Sequence, residues 1–290
     1  MSLILTVIAQ REATSLTDAQ LARIRDAVAG GAPVILSAGE AADIPVAEPP
    51  DPVRLAEALG GAPIDAITVK SRGRRKALLL ADMDSTIVQG ETLDDLAAFA
   101  GLGEKISAIT ARAMNGELDF KAALRERVAM LKGLPVETLE RTWEQLRMTD
   151  GAQELIATMR ARGALTVLVS GGFSFFTAKV AAALGFDEHR SNTLLDDGAV
   201  LTGSVAEPIL DRDSKLQALH EFAGRRGVKL GATMAVGDGA NDLDMIGAAG
   251  LGIAFHAKPV VAQAARAKVD HAGLRALLFA QGYPAASFVS

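Results

Sequence analysis

Ala77-Leu78-Leu79-Leu80-Ala81-Asp82-Met83-Asp84-Ser85-Thr86 joins a continuous apolar run to two carboxylates placed two positions apart. A short apolar run flanked by basic residues reads as a strand buried on both faces of a parallel sheet. In open parallel sheets ligands bind beyond the carboxyl ends of the strands, where Asp82 and Asp84 fall. Two neighbouring buried carboxylates repel each other unless a cation or a shared proton intervenes. The stretch therefore predicts an α/β fold with a doubly wound, Rossmann-like parallel sheet and a polar site at its edge.

Two further apolar runs end in the same way. Residues 165–169 lead into Ser170-Gly171-Gly172, and residues 233–236 lead into Gly237-Asp238-Gly239-Ala240-Asn241-Asp242. Between them Lys215 opens an apolar-periodic helix through Leu216, Leu219 and Phe222. A hydroxyl, an ammonium, a glycine-rich turn and several carboxylates are the parts of a phosphoryl-transfer site, whose transition state spreads negative charge over the equatorial oxygens. Asp82 is the candidate nucleophile, able to form an acyl phosphate and split one displacement into two. Asp84 is the candidate acid and base. Mg²⁺ takes about six oxygens and few protein carboxylates, which Asp82, the main-chain carbonyl of Asp84 and Asp238 can supply. Ser170, the Gly171 N–H at an expected helix start and Lys215 are the candidates for the remaining phosphate oxygens.

These motifs resemble those of the haloacid dehalogenase (HAD) superfamily, and within it the phosphoserine phosphatase branch. The resemblance rests on Asp82-Met83-Asp84-Ser85-Thr86, Val169-Ser170-Gly171-Gly172-Phe173, Lys215, the Gly237 to Met245 acidic motif and Phe255-His256-Ala257-Lys258-Pro259. It implies a Mg²⁺-dependent phosphatase that hydrolyses O-phospho-L-serine to serine, the last step of serine biosynthesis, through an aspartyl phosphate. It implies Asp82, Asp84 and Asp238 as metal residues, Ser170, Gly171 and Lys215 as phosphate contacts, and Asn241 as a substrate and water-positioning contact. It also implies Glu91 facing the substrate ammonium, Arg127 its carboxylate, and Met114 and Phe120 shielding its methylene. Another small-molecule phosphomonoesterase, a phosphotransferase to an alcohol such as homoserine, and a catalytically silent amino-acid-binding regulator are the alternatives. The chain departs from the family pattern at Asp150, where the segment usually reads Met-Thr-Pro-Gly, and around Lys215. Neither departure removes a catalytic group.

Taken singly, the residues have plainer readings. A strand-end Asp is a turn or helix-cap residue, Arg127 beside Arg125 and Glu126 a solvated helix face, and Glu91 a first-turn carboxylate. His189, His220, His256 and His271 lack metal-ligand spacing. Lys70, Arg72, Arg74, Arg75 and Lys76 could touch nucleic acid, but a net charge of −5 and no interleaved aromatics favour an exposed linker.

The 290 residues, 49% hydrophobic, suit two domains. Residues 1–73 read as strands at 3–9, 33–37, 44–48 and 64–70 with helices at 17–29 and 52–59, a ferredoxin-like α+β order that resembles an ACT-like module. Residues 74–290 form the phosphatase unit, with a helical cap at 88–150 whose helices fall at 93–99, 104–114, 120–131 and 136–146. The absence of cysteine excludes disulfides and fits a cytoplasmic enzyme. No apolar segment is long enough to span a membrane, and no leader is evident at the start of the sequence. The expected partner is a small-molecule substrate, with no nucleic acid and no membrane; a homodimer is left open.

Overall fold

The computed structural model describes residues 2–114 and 117–290, the side chain of Met114 excepted. The expected role of Met114 lies outside the described residues. The chain begins with β1 (Leu3–Ala9), α1 (Asp18–Ala27), β2 (Val34–Ser37), β3 (Ala41–Val46), α2 (Pro52–Leu59) and β4 (Ile64–Lys70). These strands form an antiparallel four-stranded sheet in the order β2-β3-β1-β4, the ferredoxin-like arrangement. Thr17 caps α1 in a reciprocal box with Gln20, and Asp51 caps α2 ahead of Pro52, as side-chain acceptors at N-caps do. β3 begins at Ala41, earlier than the expected 44–48, because Ala41 and Ala42 are buried by pairing to β1. Small residues carry little periodic signal.

The central sheet has six parallel strands in the order β12-β11-β10-β5-β6-β7. In chain order its elements are β5 (Leu78–Ala81), the cap helices α3 (Thr92–Phe99), α4 (Gly103–Met114), α5 (Phe120–Ala129) and α6 (Glu137–Gln145), then α7 (Ala152–Ala161), β6 (Leu165–Phe173), α8 (Ser174–Leu184) and β7 (Glu188–Asn192). After these come a hairpin β8 (Leu194–Asp196) and β9 (Leu201–Val205), then α9 (Arg212–Arg226), β10 (Thr233–Gly237), α10 (Leu243–Ala248), β11 (Leu251–Phe255), α11 (Pro259–Ala264), β12 (Ala267–Val269) and α12 (Ala276–Ala280). Along β5, Leu78 and Leu80 face a core with Leu219, Phe222 and Met245, while Leu79 and Ala81 face one with Leu155, Phe176 and Val180. Helices on both faces explain the unbroken apolar run.

Three expectations need correction. The strict alternation of strands and helices after residue 163 is interrupted by the antiparallel β8–β9 hairpin, which binds the cap through Gly133 N–H to Leu201 O and Val136 N–H to Ala199 O, both 2.9 Å. Gly171 does not start a helix; β6 runs on to Phe173, which pairs with Asn192, and α8 begins at Ser174. The run from Lys70 to Lys76 is no uniformly exposed linker. Arg74 donates to both carboxylate oxygens of Asp43, at 2.6 and 3.0 Å, and to the carbonyls of Phe279 and Ala280. Arg75 lies over the Tyr283 ring, and Lys76 donates to two carbonyls.

Arg74 thereby ties the antiparallel sheet to the carboxyl-terminal segment. Ile8, Leu36, Ala41 and Ile67 belong to the same apolar cluster as Leu277 and Phe279, and Asp65 on β4 accepts the N–H groups of Asp270, His271 and Ala272. Removing one partner of a buried pair strands the other charge. Asp43→Ala is therefore expected to cost about 3 kcal/mol, read from urea unfolding, and Arg74→Met on the same chain to recover most of that loss. An additive loss in the double variant would show that the pair is not the source.

Candidate active site

β5 lies between β10 and β6, so their carboxyl ends bring Asp82, Asp238 and Ser170 side by side. After Asp82 the chain makes a tight turn, Met83–Ile87, in which Asp84 is extended and Ser85 adopts φ +55°. Ser85 N–H donates to Gly90 O at 2.8 Å and Val88 N–H to Met83 O at 3.0 Å. The turn directs Asp84 back toward the sheet edge. Its Oδ1 accepts Thr92 N–H at 2.8 Å and its Oδ2 accepts the Ser170 hydroxyl at 3.1 Å. The same hydroxyl accepts Gly172 N–H at 2.8 Å.

Lys215 enters from α9, whose N-cap Asp211 forms a reciprocal box with Ser214. Its ammonium, 2% exposed, lies 2.5 Å from Asp82 Oδ1 and 2.6 Å from Asp242 Oδ1. Burial works against the lysine charge, but Asp242 and Asp82 outweigh it and raise its pKa above the ordinary value. Burial, then the charge of Asp242, raises Asp82 well above the carboxylate range against the pull of Lys215. Burial also raises Asp84, and Thr92 N–H opposes the rise. Asp238 is pushed up to about 7 by burial and by Asp242.

That charge balance is the test for a metal. Asp82, Asp238 and Asp242 each offer an oxygen, all within 4.8 Å of one another. Both oxygens of Asp238 are buried without a hydrogen-bond partner among the described residues, the nearest cation being Lys258 Nζ at 3.6 Å. Buried acceptors left unsatisfied are costly, and a hard cation takes carboxylate oxygens. The residues fit a divalent ion. The Asp84 side chain is committed to Thr92 and Ser170, so its expected contribution would come from the main chain.

The cap closes over this edge. Phe120 projects so close to Gly171 that a Cβ there would lie 2.8 Å from its ring, with the Asn241 amide 3.8 Å away. Arg127, 5% exposed, lines the same crevice as Asp82, Glu91, Phe120, Ser170 and Asn241. Its Nη1 donates to Thr110 Oγ1 at 2.8 Å and its Nε to Ala123 O at 3.2 Å, and Thr110 donates to Asp94 at 2.7 Å. Burial lowers its pKa. Glu91 N-caps α3 without a side-chain cap bond; its Oε1 accepts the Ser85 hydroxyl at 2.7 Å. Burial, then Asp84 and Asp238, pushes it up to about 8.

Apart from the undescribed Met114 side chain, the structure thus brings the candidates together: Asp82, Asp84, Glu91, Phe120, Arg127, Ser170, Gly171 and Asn241 line one crevice, and Lys215 and Asp238 lie beside Asp82 at its base. Sequence reasoning left Asp242, Thr92 and Thr110 without roles. Asp242 was visible as the second acid of its motif, and Gly237 admits it, since a Cβ at Gly237 would meet the Asp242 carboxylate at 2.3 to 2.7 Å. Nothing local marks Thr110, a helix residue chosen by a partner on another helix. Gly172 supplies a check on the geometry: an added Cβ would sit 2.8 Å from Asp84 Oδ2 and 3.0 Å from Ser170 Oγ. Displacements of that size cost on the order of 10²-fold in turnover. Gly172→Ala should lose phosphate-ester turnover by that order with an unchanged melting temperature; turnover near wild type would mean the Asp84–Ser170 contact is not needed.

The haloacid dehalogenase-like hydrolase family matches residues 79–247. The chain is 47% identical over 209 residues to the phosphoserine phosphatase SerB2 of Mycobacterium tuberculosis, covering 72% of this chain and 51% of that one. It spans half to three-fifths of the length of that relative and of those from Archaeoglobus fulgidus and Streptomyces coelicolor. A HAD-family hydrolase of Salmonella enterica serovar Typhi superposes with a TM-score of 0.84 at 29% identity, over 96% of this chain and 97% of that one. A structure described as a phospho-aspartyl intermediate analogue of phosphoserine phosphatase gives 0.68 at 41% identity, over 71% of this chain and 98% of that one. Family match and shared fold agree with the strand-end acids: the chain belongs to the haloacid dehalogenase-like hydrolases.

Proposed function

We propose that the chain is a Mg²⁺-dependent phosphoserine phosphatase that forms an aspartyl phosphate on Asp82. The observation that carries the substrate assignment is the roof of the crevice. The Arg127 guanidinium is buried and Glu91 largely so, and neither forms an ion pair among the described residues. A zwitterionic substrate supplies a carboxylate that would pair with the guanidinium, and an ammonium that would favour the ionised form of Glu91, whose pKa burial and the neighbouring acids push up to about 8 in the empty crevice. The relatives named phosphoserine phosphatase support the same reading.

In this reading Asp82 attacks phosphorus as the seryl oxygen departs and the resulting acyl phosphate is later hydrolysed by water, while the Lys215 ammonium and a hydrogen bond from the Ser170 hydroxyl stabilise the phosphoryl oxygens. Asp84 protonates the departing seryl oxygen and then takes a proton from the attacking water. Its raised pKa leaves it able to hold that proton. Mg²⁺, when bound at Asp82 and Asp238, supplies charge neutralisation for the phosphoryl oxygens. The crevice beneath the cap has a volume of about 30 Å³, room for little more than water. Substrate entry therefore requires the cap to move, and its return excludes bulk water. The amino-terminal unit is read as an ACT-like module, and the division near residue 73 as the boundary between it and the phosphatase.

Phosphate release from phosphoserine, phosphothreonine and sugar phosphates, with and without homoserine, tests the assignment. Phosphoserine should be turned over best, activity should vanish on chelation, and Mg²⁺ should restore it. Preference for a sugar phosphate, or transfer to homoserine in place of hydrolysis, would sink it. Arg127→Ala should lower kcat/KM for phosphoserine by roughly 2 to 5 kcal/mol of transition-state binding. Phosphoethanolamine has no carboxylate, so its kcat/KM should fall far less; equal losses would remove Arg127 as the carboxylate anchor.

A further inference from the structure

The largest cavity described lies away from the catalytic crevice. It has a volume of 660 Å³ and is bounded by the segment from Thr68 to Lys76 and by the amino ends of β11 and β12. Asp238 sits at the opposite end of β10, a strand's length away, about 16 Å. None of the lining residues is acidic, and five are cationic. Arg74 and Lys76 are already engaged, by Asp43 and by main-chain carbonyls. Lys70, Arg72 and Arg266 are exposed and have no hydrogen bond or ion pair among the described residues. The floor between them is apolar, with Ile246 and Leu251.

Basic side chains often gather where helices end, because carboxyl-terminal carbonyls attract cations. α10 and α11 do end here. A capping role would set a guanidinium or ammonium on those carbonyls, and none of the three makes such a bond. Like charges lining one cavity without a counter-ion repel one another. An amino acid is a poor occupant, since its ammonium would find no carboxylate. Nucleic acid is disfavoured by the net charge of −5 and the lack of aromatic residues for bases to stack on. A compact anion with several charges would satisfy cations on two separate segments at once.

We propose that this cavity binds a small polyanion built of linked phosphates, held by Lys70, Arg72 and Arg266. The inference stands apart from the phosphatase reading, because no residue of the catalytic crevice contributes. Calorimetry of the full chain with inorganic tripolyphosphate, in chelator and at low ionic strength, should give saturable binding of one anion per chain that weakens with added salt. Arg72→Glu with Arg266→Glu should weaken it by about tenfold or more, and the milder Arg72→Gln with Arg266→Gln by less, with phosphate-ester turnover unchanged in both. A nucleoside triphosphate distinguishes the sources: tighter binding than tripolyphosphate assigns the apolar floor to the nucleoside, and equal binding assigns the site to the phosphate chain alone. No binding by the wild-type chain overturns the proposal. So does binding that survives both double variants, which would put the anion elsewhere, or binding of a single-stranded oligonucleotide but of neither small anion.

Discussion

The Lys215 ammonium wedged between Asp82 and Asp242 is the contact on which the rest of the site depends. Four carboxylates, Asp82, Asp84, Asp238 and Asp242, are buried at one sheet edge, and among the described residues Lys215 is the one ammonium buried with them. Burial drives Asp82, Asp84 and Asp238 toward their neutral forms. The lysine holds Asp82 and Asp242 in place, and backbone and hydroxyl donors hold Asp84, but Asp238 keeps two oxygens without a donor. The excess of negative charge fits the edge for a divalent cation and, in the proposed reading, for phosphate once that cation is bound.

The same logic orders the cap. Arg127 is held through Thr110 and the Ala123 carbonyl rather than by a carboxylate, so its charge is positioned but not cancelled. Asp94 takes the Thr110 hydroxyl and adds a favourable field. A direct Arg127–Asp94 pair would occupy the guanidinium with a carboxylate of the protein. The hydroxyl relay keeps it available. Phe120 and Gly171 meet where any larger residue at 171 would hold the cap open.

How far the sequence reveals this depends on whether the cause is local. The strand ends are legible because a continuous apolar run that stops at an acid is the pattern a buried parallel strand leaves where it meets a polar crevice. α1 is legible because Thr17 and Gln20 write their own cap. Local patterning could not reveal Arg74, which reads as one more surface cation until the carbonyls of Phe279 and Ala280, over two hundred positions away, are brought beside it. Nor could it reveal the β8–β9 hairpin, whose short strands carry exposed polar residues and are fixed by the cap that they support. Gly171 reads as a helix start because glycines after a strand commonly open a helix; pairing of Phe173 to Asn192 carries the strand past them instead.

The return of the chain from cap to sheet illustrates how one departure from the family pattern is absorbed. Asp150 gives up the dihedral restraint that proline would impose there, worth about 0.4 to 1 kcal/mol through the unfolded chain. Its carbonyl accepts Leu274 N–H at 2.8 Å, Thr149 N–H donates to Ile87 O at 3.0 Å, and the carboxylate meets Arg11 at 3.3 Å. Gly151 turns at φ +80° against the Arg275 backbone, where an added Cβ would lie 2.6 Å from its nitrogen. The exposed Arg11 contact contributes little, whereas each main-chain bond is worth about 1 kcal/mol. The two main-chain bonds, one to Leu274 in the segment after β12 and one to Ile87, therefore restrain this return at least as strongly as the missing ring. The segment after β12 is the one that Asp65 and Arg74 fasten to the amino-terminal sheet, so the return from the cap, the carboxyl-terminal segment and the antiparallel sheet form one continuous support.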